Sequence, residues 1–248
     1  MKVAIREQPV SAFYGEQVTL VSAVYAALAA PAGTRMVMLN GTAAFTAQIC
    51  GKISQVLKTT DDAVTFTDYT TYATDKSTST DVDLSSLSTA ANGDYWYVTS
   101  KKPFGGVICD VDSVNSNASV QSGYFWTGTE WASLSITDGT ANGGACFAQD
   151  GMIYWTVPTN WKRITFNGQP DEYVARFQVS AALDAATTLN SVAIVPAAVA
   201  TLPFGYFAAT TDYTFGIDPN KSGGVAFYIA GTPTINVTWI KDDSEATV

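Results

Sequence analysis

The chain has 248 residues, only 14% of them charged, with a net charge of −9 and no histidine. Lacking clustered Lys and Arg, it has no electrostatic footprint for a phosphate backbone, which argues against a nucleic-acid partner. The absence of histidine removes the commonest general base, the usual zinc ligand and every Ser-His or Cys-His relay.

Taken in chain order, the N-terminal stretch MKVAIREQPVSAFYGEQV interrupts its apolar residues with charges and offers no hydrophobic signal core. The most apolar window, residues 18–32, is shorter than the roughly 20 residues that span a bilayer. These features predict a protein that is neither exported nor membrane-embedded. Residues 20–30 are Ala-rich and read as a helix, and a second helical turn is expected at 85–91. From residue 94 onward almost every segment alternates polar with β-branched or aromatic residues. DYWYVTS, GVICDVDSV, SVQSGYFWTG, EWASLSI, MIYWTVP, KRITFNG, YVARFQVSA, TLNSVAIV, VAFYIAG and TINVTWI are separated by Gly, Asn, Asp and Pro. Turn signals every 8–12 residues or so predict an all-β sandwich or barrel.

The densest aromatic run, YFWTGTEW (residues 124–131), reads as a hairpin. Tyr124 and Trp126 share one face, Phe125 takes the other, residues 127–130 turn, and Trp131 returns opposite Trp126 or a near neighbour. In MIYWTVPTNW, Ile153 and Trp155 fall on one face and Tyr154 and Thr156 on the other, with Pro158 ending the strand. Aromatics at period two beside turns are expected to be core or interface residues. The competing reading is a sugar-stacking surface made by Trp126, Trp131, Trp155 and Trp161.

Two short segments resemble each other. PAGTRMVMLNGT (31–42) and PNKSGGVAFYIAGT (219–232) share Pro, Gly, an apolar strand and Gly-Thr, and a further strand follows each. They suggest that residues 1–80 and 197–248 are related hairpin-bearing pieces of one β domain, with residues 81–196 inserted as a central β-sandwich. The polar run at 70–81 and the Ala-rich run at 196–203 are the expected crossing points.

Chemistry-bearing groups are sparse. Asp81 and Asp83, and Asp110 and Asp112, each place two acids on one strand face, as glycosidases and Ca²⁺ sites do, yet such pairs also protect strand edges. Solvated acids are the expected reading, with no catalytic residue, metal or cofactor. Cys50, Cys109 and Cys146 lie in apolar or small-residue surroundings and read as buried thiols. No phosphate-cradling Gly-rich loop leads into a helix, and there is no G-x-S-x-G elbow.

The succession ANGDYWYV, PFGGV, YFWTGTEW, DGMIYWTVPTNW and YVARFQVSAALD, over residues 81–196, resembles a jelly-roll-like β-sandwich module of structural proteins in tailed-bacteriophage virions. That resemblance implies a non-enzymatic virion component assembled in the bacterial cytoplasm. Its first expected role is capsid decoration or cement, with the major capsid protein, other virion proteins and copies of itself (a trimer by analogy) as partners. A tail, baseplate or fibre component, or a glycan-binding module, is the alternative.

Overall fold

The computed structural model describes residues 10–19, 25–29, 34–75, 79–197, 205–207, 213–216, 222–228 and 234–242. The chain is all-β, with antiparallel sheets packed face to face, as the alternation predicts. One sheet of the sandwich runs in the order β11 (Trp131–Leu134), β10 (Gln121–Trp126), β15 (Gln169–Val179), β8 (Asp94–Ser100), β5 (Gln55–Thr60) and β6 (Thr67–Asp68). The short strand β14 (Ile164–Phe166) pairs with β15 as well. The facing sheet contains β12 (Thr137–Asp138), β13 (Gly151–Tyr154), β9 (Phe104–Ser113) and β16 (Thr188–Pro196), and β7 (Val82–Asp83) pairs with β16.

The core between them follows from period two. Trp96 and Val98 of β8, Ala175, Phe177 and Val179 of β15, and Phe125 of β10 point inward from one sheet. Phe104, Val107, Cys109 and Val111 of β9, Ile153 of β13, and Leu189, Val192 and Ile194 of β16 meet them from the other. Trp96 stacks on Phe177 at 4.6 Å between ring centroids, and Phe104, Trp155 and Trp161 form a second aromatic knot with separations of 5.1–6.4 Å. Such offset and edge-on ring pairs contribute beyond the area they bury. Loops at one end are tied by buried Asn115. Its amide donates to the carbonyls of Asn117 and Cys146 and to Ser119 Oγ, while its Oδ1 accepts the Asp184 N–H.

The terminal segments form a second arrangement with a regular exchange. β1 (Val10–Thr19), β2 (Tyr25–Ala29), β3 (Thr34–Gly41) and β4 (Phe45–Gly51) come from one end of the chain. β17 (Gly205–Phe207), β18 (Tyr213–Gly216), β19 (Ser222–Tyr228) and β20 (Thr234–Asp242) come from the other. One sheet runs β1-β20-β3-β18, and the second set of pairings runs β17-β4-β19-β2. Replacing each strand by its counterpart in the other half converts one order into the other. Each of these two sets of strands therefore draws on both ends of the chain in the same alternating order. The similar segments seen in the sequence are β3 and β19, but neither forms a hairpin with the strand after it: β3 pairs with β20, and β19 with β4.

Several local expectations change. Residues 25–29, expected in a helix, are strand β2, because pairing with β19 outweighs the helix propensity of Ala; residues 20–24 and 30 lie outside the described set. The run at 70–81, expected as a loop, holds the short helix α1 (Thr70–Thr74), whose Ala73 joins the core. Of the helical turn expected at 85–91, the chain makes a turn at 85–86 and a separate 3-10 turn at Ala90–Asn92, with residues 87–89 irregular between them. The strand expected to run to Pro158 stops at Tyr154, although the Trp155 N–H still reaches the Gly105 carbonyl at 2.9 Å. Strand β5, which precedes the crossing point expected at 70–81, hydrogen-bonds to β8 of the central sandwich along its whole length. The second crossing point is described only at residues 196 and 197. The facing sheet also touches the terminal strands, through Ile194 of β16 opposite Gly51 of β4.

Trp155 is 3% exposed and touches Phe104, Trp161 and Phe177. Trp155→Ala is expected to lower stability by about 3–5 kcal/mol in urea unfolding. An unchanged midpoint would contradict its core position.

Candidate functional site

The inward face of the β10-β15-β8 sheet fills the sandwich, and the same alternation sends a second set of aromatics outward. Tyr124 of β10, Arg176 of β15 and Tyr97 of β8 stand opposite one another across three strands. Trp126 faces Trp131 across the hairpin, their rings 5.5 Å apart and edge-on. The turn between them lets Gly128 take φ +107°, a region that suits glycine, and the Thr127 N–H and Oγ1 both donate to the Glu130 carbonyl at 3.0 Å.

These rings surround one cation. The Arg176 guanidinium carbon lies 4.5 Å from the Trp131 ring centre, 4.7 Å from Tyr95 and 4.9 Å from Tyr124. Contacts at this range are attractive through the ring quadrupole. Among the described residues no carboxylate comes within ion-pair reach of Arg176. Gln178, next on the same face, donates from Nε2 to the Tyr124 hydroxyl at 2.8 Å. Behind this ledge Tyr97, Leu57 and Val174 are buried beneath half-buried Phe66, Ile164 and Phe166. Burial pushes the Tyr97 phenol well above its ordinary value, partly offset by Arg176, so the hydroxyl stays neutral. The ledge can offer flat apolar rings and a fixed positive charge for contact. It holds no general base beside a nucleophile.

The structure separates the four tryptophans singled out in the sequence. Trp126 and Trp131 are half-buried on the ledge. Trp155 and Trp161 are 3% and 5% exposed inside the sandwich and present no ring face to a ligand. Arg176 and Tyr95 were not anticipated. The alternation in YVARFQVS carries the signal, since a charged residue between Ala175 and Phe177 must face away from the core, but its ring neighbours emerge only from the strand register.

The candidate acids also part company. Lys58 Nζ lies 3.3 Å from an Asp83 oxygen. Burial raises the Asp83 pKa, but hydrogen bonds from Ser85 and the Lys58 charge outweigh it and leave the group below its ordinary value. Asp81 is raised by burial and by Asp112 and Asp75, whereas Asp112 accepts the Thr188 hydroxyl at 3.2 Å. Asp110 is pushed up to about 6, first by burial and then by the charge of Asp150, against hydrogen bonds from Asn190 and Ser191. Asp150 is itself raised by burial and accepts the Val111 N–H at 2.7 Å. Among the described residues no three His, Cys, Asp or Glu side chains assemble as metal ligands. All three cysteines are buried. Burial pushes the Cys109 thiol far up and the Cys146 thiol to about 11, so neither supplies a thiolate at neutral pH.

No protein-family model matches the chain, and no curated protein sequence matches it.

The Asp110 shift has a definite sign. Its folded pKa of about 6 exceeds the ordinary 3.8, so the native state holds the proton more tightly and stability falls as pH rises from about 4 to 6. Asp110→Asn is expected to flatten that fall and to raise stability at pH 7–8 by on the order of 2–3 kcal/mol. Chemical denaturation across this pH range, with an unaltered slope in the variant, would contradict the assignment.

Proposed function

We propose that this chain is a non-enzymatic structural protein of a tailed-phage particle, serving as a capsid decoration or cement protein on the outer shell. The observation that carries this reading is the ledge of Trp126, Trp131, Tyr124 and Arg176, half-buried on the outer sheet face around a cation with no acidic partner among the described residues. Trp, Tyr and Arg are the residues that dominate binding energy at protein interfaces when a partner desolvates them. The sandwich core supplies a rigid base for such contacts, and the low charge content favours broad contact with a lattice and with sister copies. Obligate contacts of this type bury more than about 2,000 Å² in total. A closed symmetric oligomer, with a trimer as the first candidate, suits a part repeated over a shell. The major capsid protein is the proposed partner, in a virion assembled in the host cytoplasm. A tail, baseplate or fibre position would use the same ledge.

A glycan-binding reading draws on the same rings, because Trp126 packs on Trp131, which lies against Arg176, itself beside Tyr124 and its partner Gln178. It requires a glycan that quenches the fluorescence of these two indoles.

Co-sedimentation with empty phage heads tests the leading role. The chain should pellet with heads, and Trp131→Ala should weaken binding by at least about 2 kcal/mol, roughly thirtyfold. Absence from heads together with localisation at tail tips would overturn the cement assignment.

A further inference from the structure

At the seam between the sandwich and the terminal strands, the chain forms a cleft of about 480 Å³. The loop after β4 supplies Lys52 and Ile53, the turn between β8 and β9 supplies Lys101, Lys102 and Pro103, and the end of β16 supplies Pro196. The floor is therefore apolar and the rim is basic. No carboxylate lines it. In a chain with only 13 Lys and Arg against 22 Asp and Glu, three ammonium groups gathered at one opening are a marked concentration.

The two loops are pinned to each other. The Ser54 N–H donates to the Thr99 carbonyl at 2.8 Å, Ser100 Oγ donates to the Lys52 carbonyl at 2.8 Å, and the Lys102 N–H donates to Ser100 Oγ at 3.3 Å. The opening is thus held by hydrogen bonds of the backbone and of the Ser100 hydroxyl. Lys101 has a structural task, because its Nζ lies 2.5 Å from Glu172, whose side chain is fully buried. Glu172 offsets one of the three charges. Lys52 and Lys102 are exposed and have no acidic partner among the described residues.

We propose that this cleft is a binding site for an organic anion with an apolar body, the charged head meeting Lys52 and Lys102 and the body lying on the half-buried Ile53, Pro103 and Pro196. Its volume lies within the ~300–1,000 Å³ range of ligand sites, and a mostly apolar lining with a few fixed polar groups is their usual composition. Lys52 and Lys102 supply the charge selectivity. Binding is salt-sensitive, since exposed ammonium groups are screened over about 10 Å at 0.1 M salt. The overall acidity of the chain opposes approach of any anion, so attraction operates only at short range. This site is separate from the aromatic ledge and does not depend on the virion reading.

Amide-resolved NMR titration of the full chain tests it, with benzoate, phenyl phosphate, inorganic phosphate and neutral benzyl alcohol as probes. Benzoate and phenyl phosphate should shift the amides of residues 51–54, 100–102 and 104. Benzyl alcohol and inorganic phosphate should each bind at least about tenfold more weakly, a difference of ~1.4 kcal/mol. The double variant Lys52→Gln, Lys102→Gln should weaken benzoate binding by a similar factor while keeping the wild-type melting temperature. No shift at these amides up to about 10 mM, a range that reaches weak small-ligand sites, would overturn the proposal. So would benzyl alcohol or inorganic phosphate binding as tightly as benzoate, or a folded double variant that binds benzoate unchanged.

Discussion

The register of β15 against β8 is the constraint on which the rest of the structure depends. It sets Phe177 opposite Trp96 and Arg176 opposite Tyr97. The first pair stacks inside the sandwich, and the second faces out among the ledge rings. A slip of one residue would exchange the two faces, carrying the Arg176 charge into the core and Phe177 into water. Burying an unpaired guanidinium costs far more than the pairing energy of a few strand residues, so the register is strongly specified. The same alternation then propagates through β10 and the Trp126–Trp131 hairpin. Core and contact surface are two consequences of one pairing.

The exchanged strands of the terminal segments impose a different kind of constraint. Strand β20 lies between β1 and β3, and β4 lies between β17 and β19, so each half completes the sheet of the other. The central sandwich sits in the sequence between these halves. Contacts of this sequence separation are slow to form, because loop closure precedes any gain from pairing. Within the central sandwich, hairpins such as β10–β11 and β14–β15 are local, whereas β8–β15 and β9–β16 also join segments distant in the sequence.

The all-β class and the sandwich were legible because period two dominates the sequence from residue 94 onward. The hairpin and its turn at 127–130 were legible from the glycine-bearing turn and the alternating rings, which left Trp131 opposite Trp126 or a near neighbour; the register selects Trp126. Strand β2 was not legible, because an Ala-rich run carries a helix propensity that only its partner strand overrules. The Asn115 hub was hidden as well. Its side chain makes five hydrogen bonds to four residues, Asn117, Ser119, Cys146 and Asp184, the last 69 residues away. For the ledge, the sequence supplied Trp126 and Trp131 but not Arg176, which lies over Trp131, Tyr95 and Tyr124. Trp155 and Trp161 have the same local chemistry as the ledge pair, and only their depth between the sheets separates them.

Hydroxyl-radical footprinting of the free chain, read tryptophan by tryptophan by mass spectrometry, tests this division of faces most directly. Trp126 and Trp131 should be oxidised readily, while Trp96, Trp155 and Trp161 stay protected until the chain unfolds. Labelling of Trp155 and Trp161 at the rate of Trp131 in the folded protein would contradict the account.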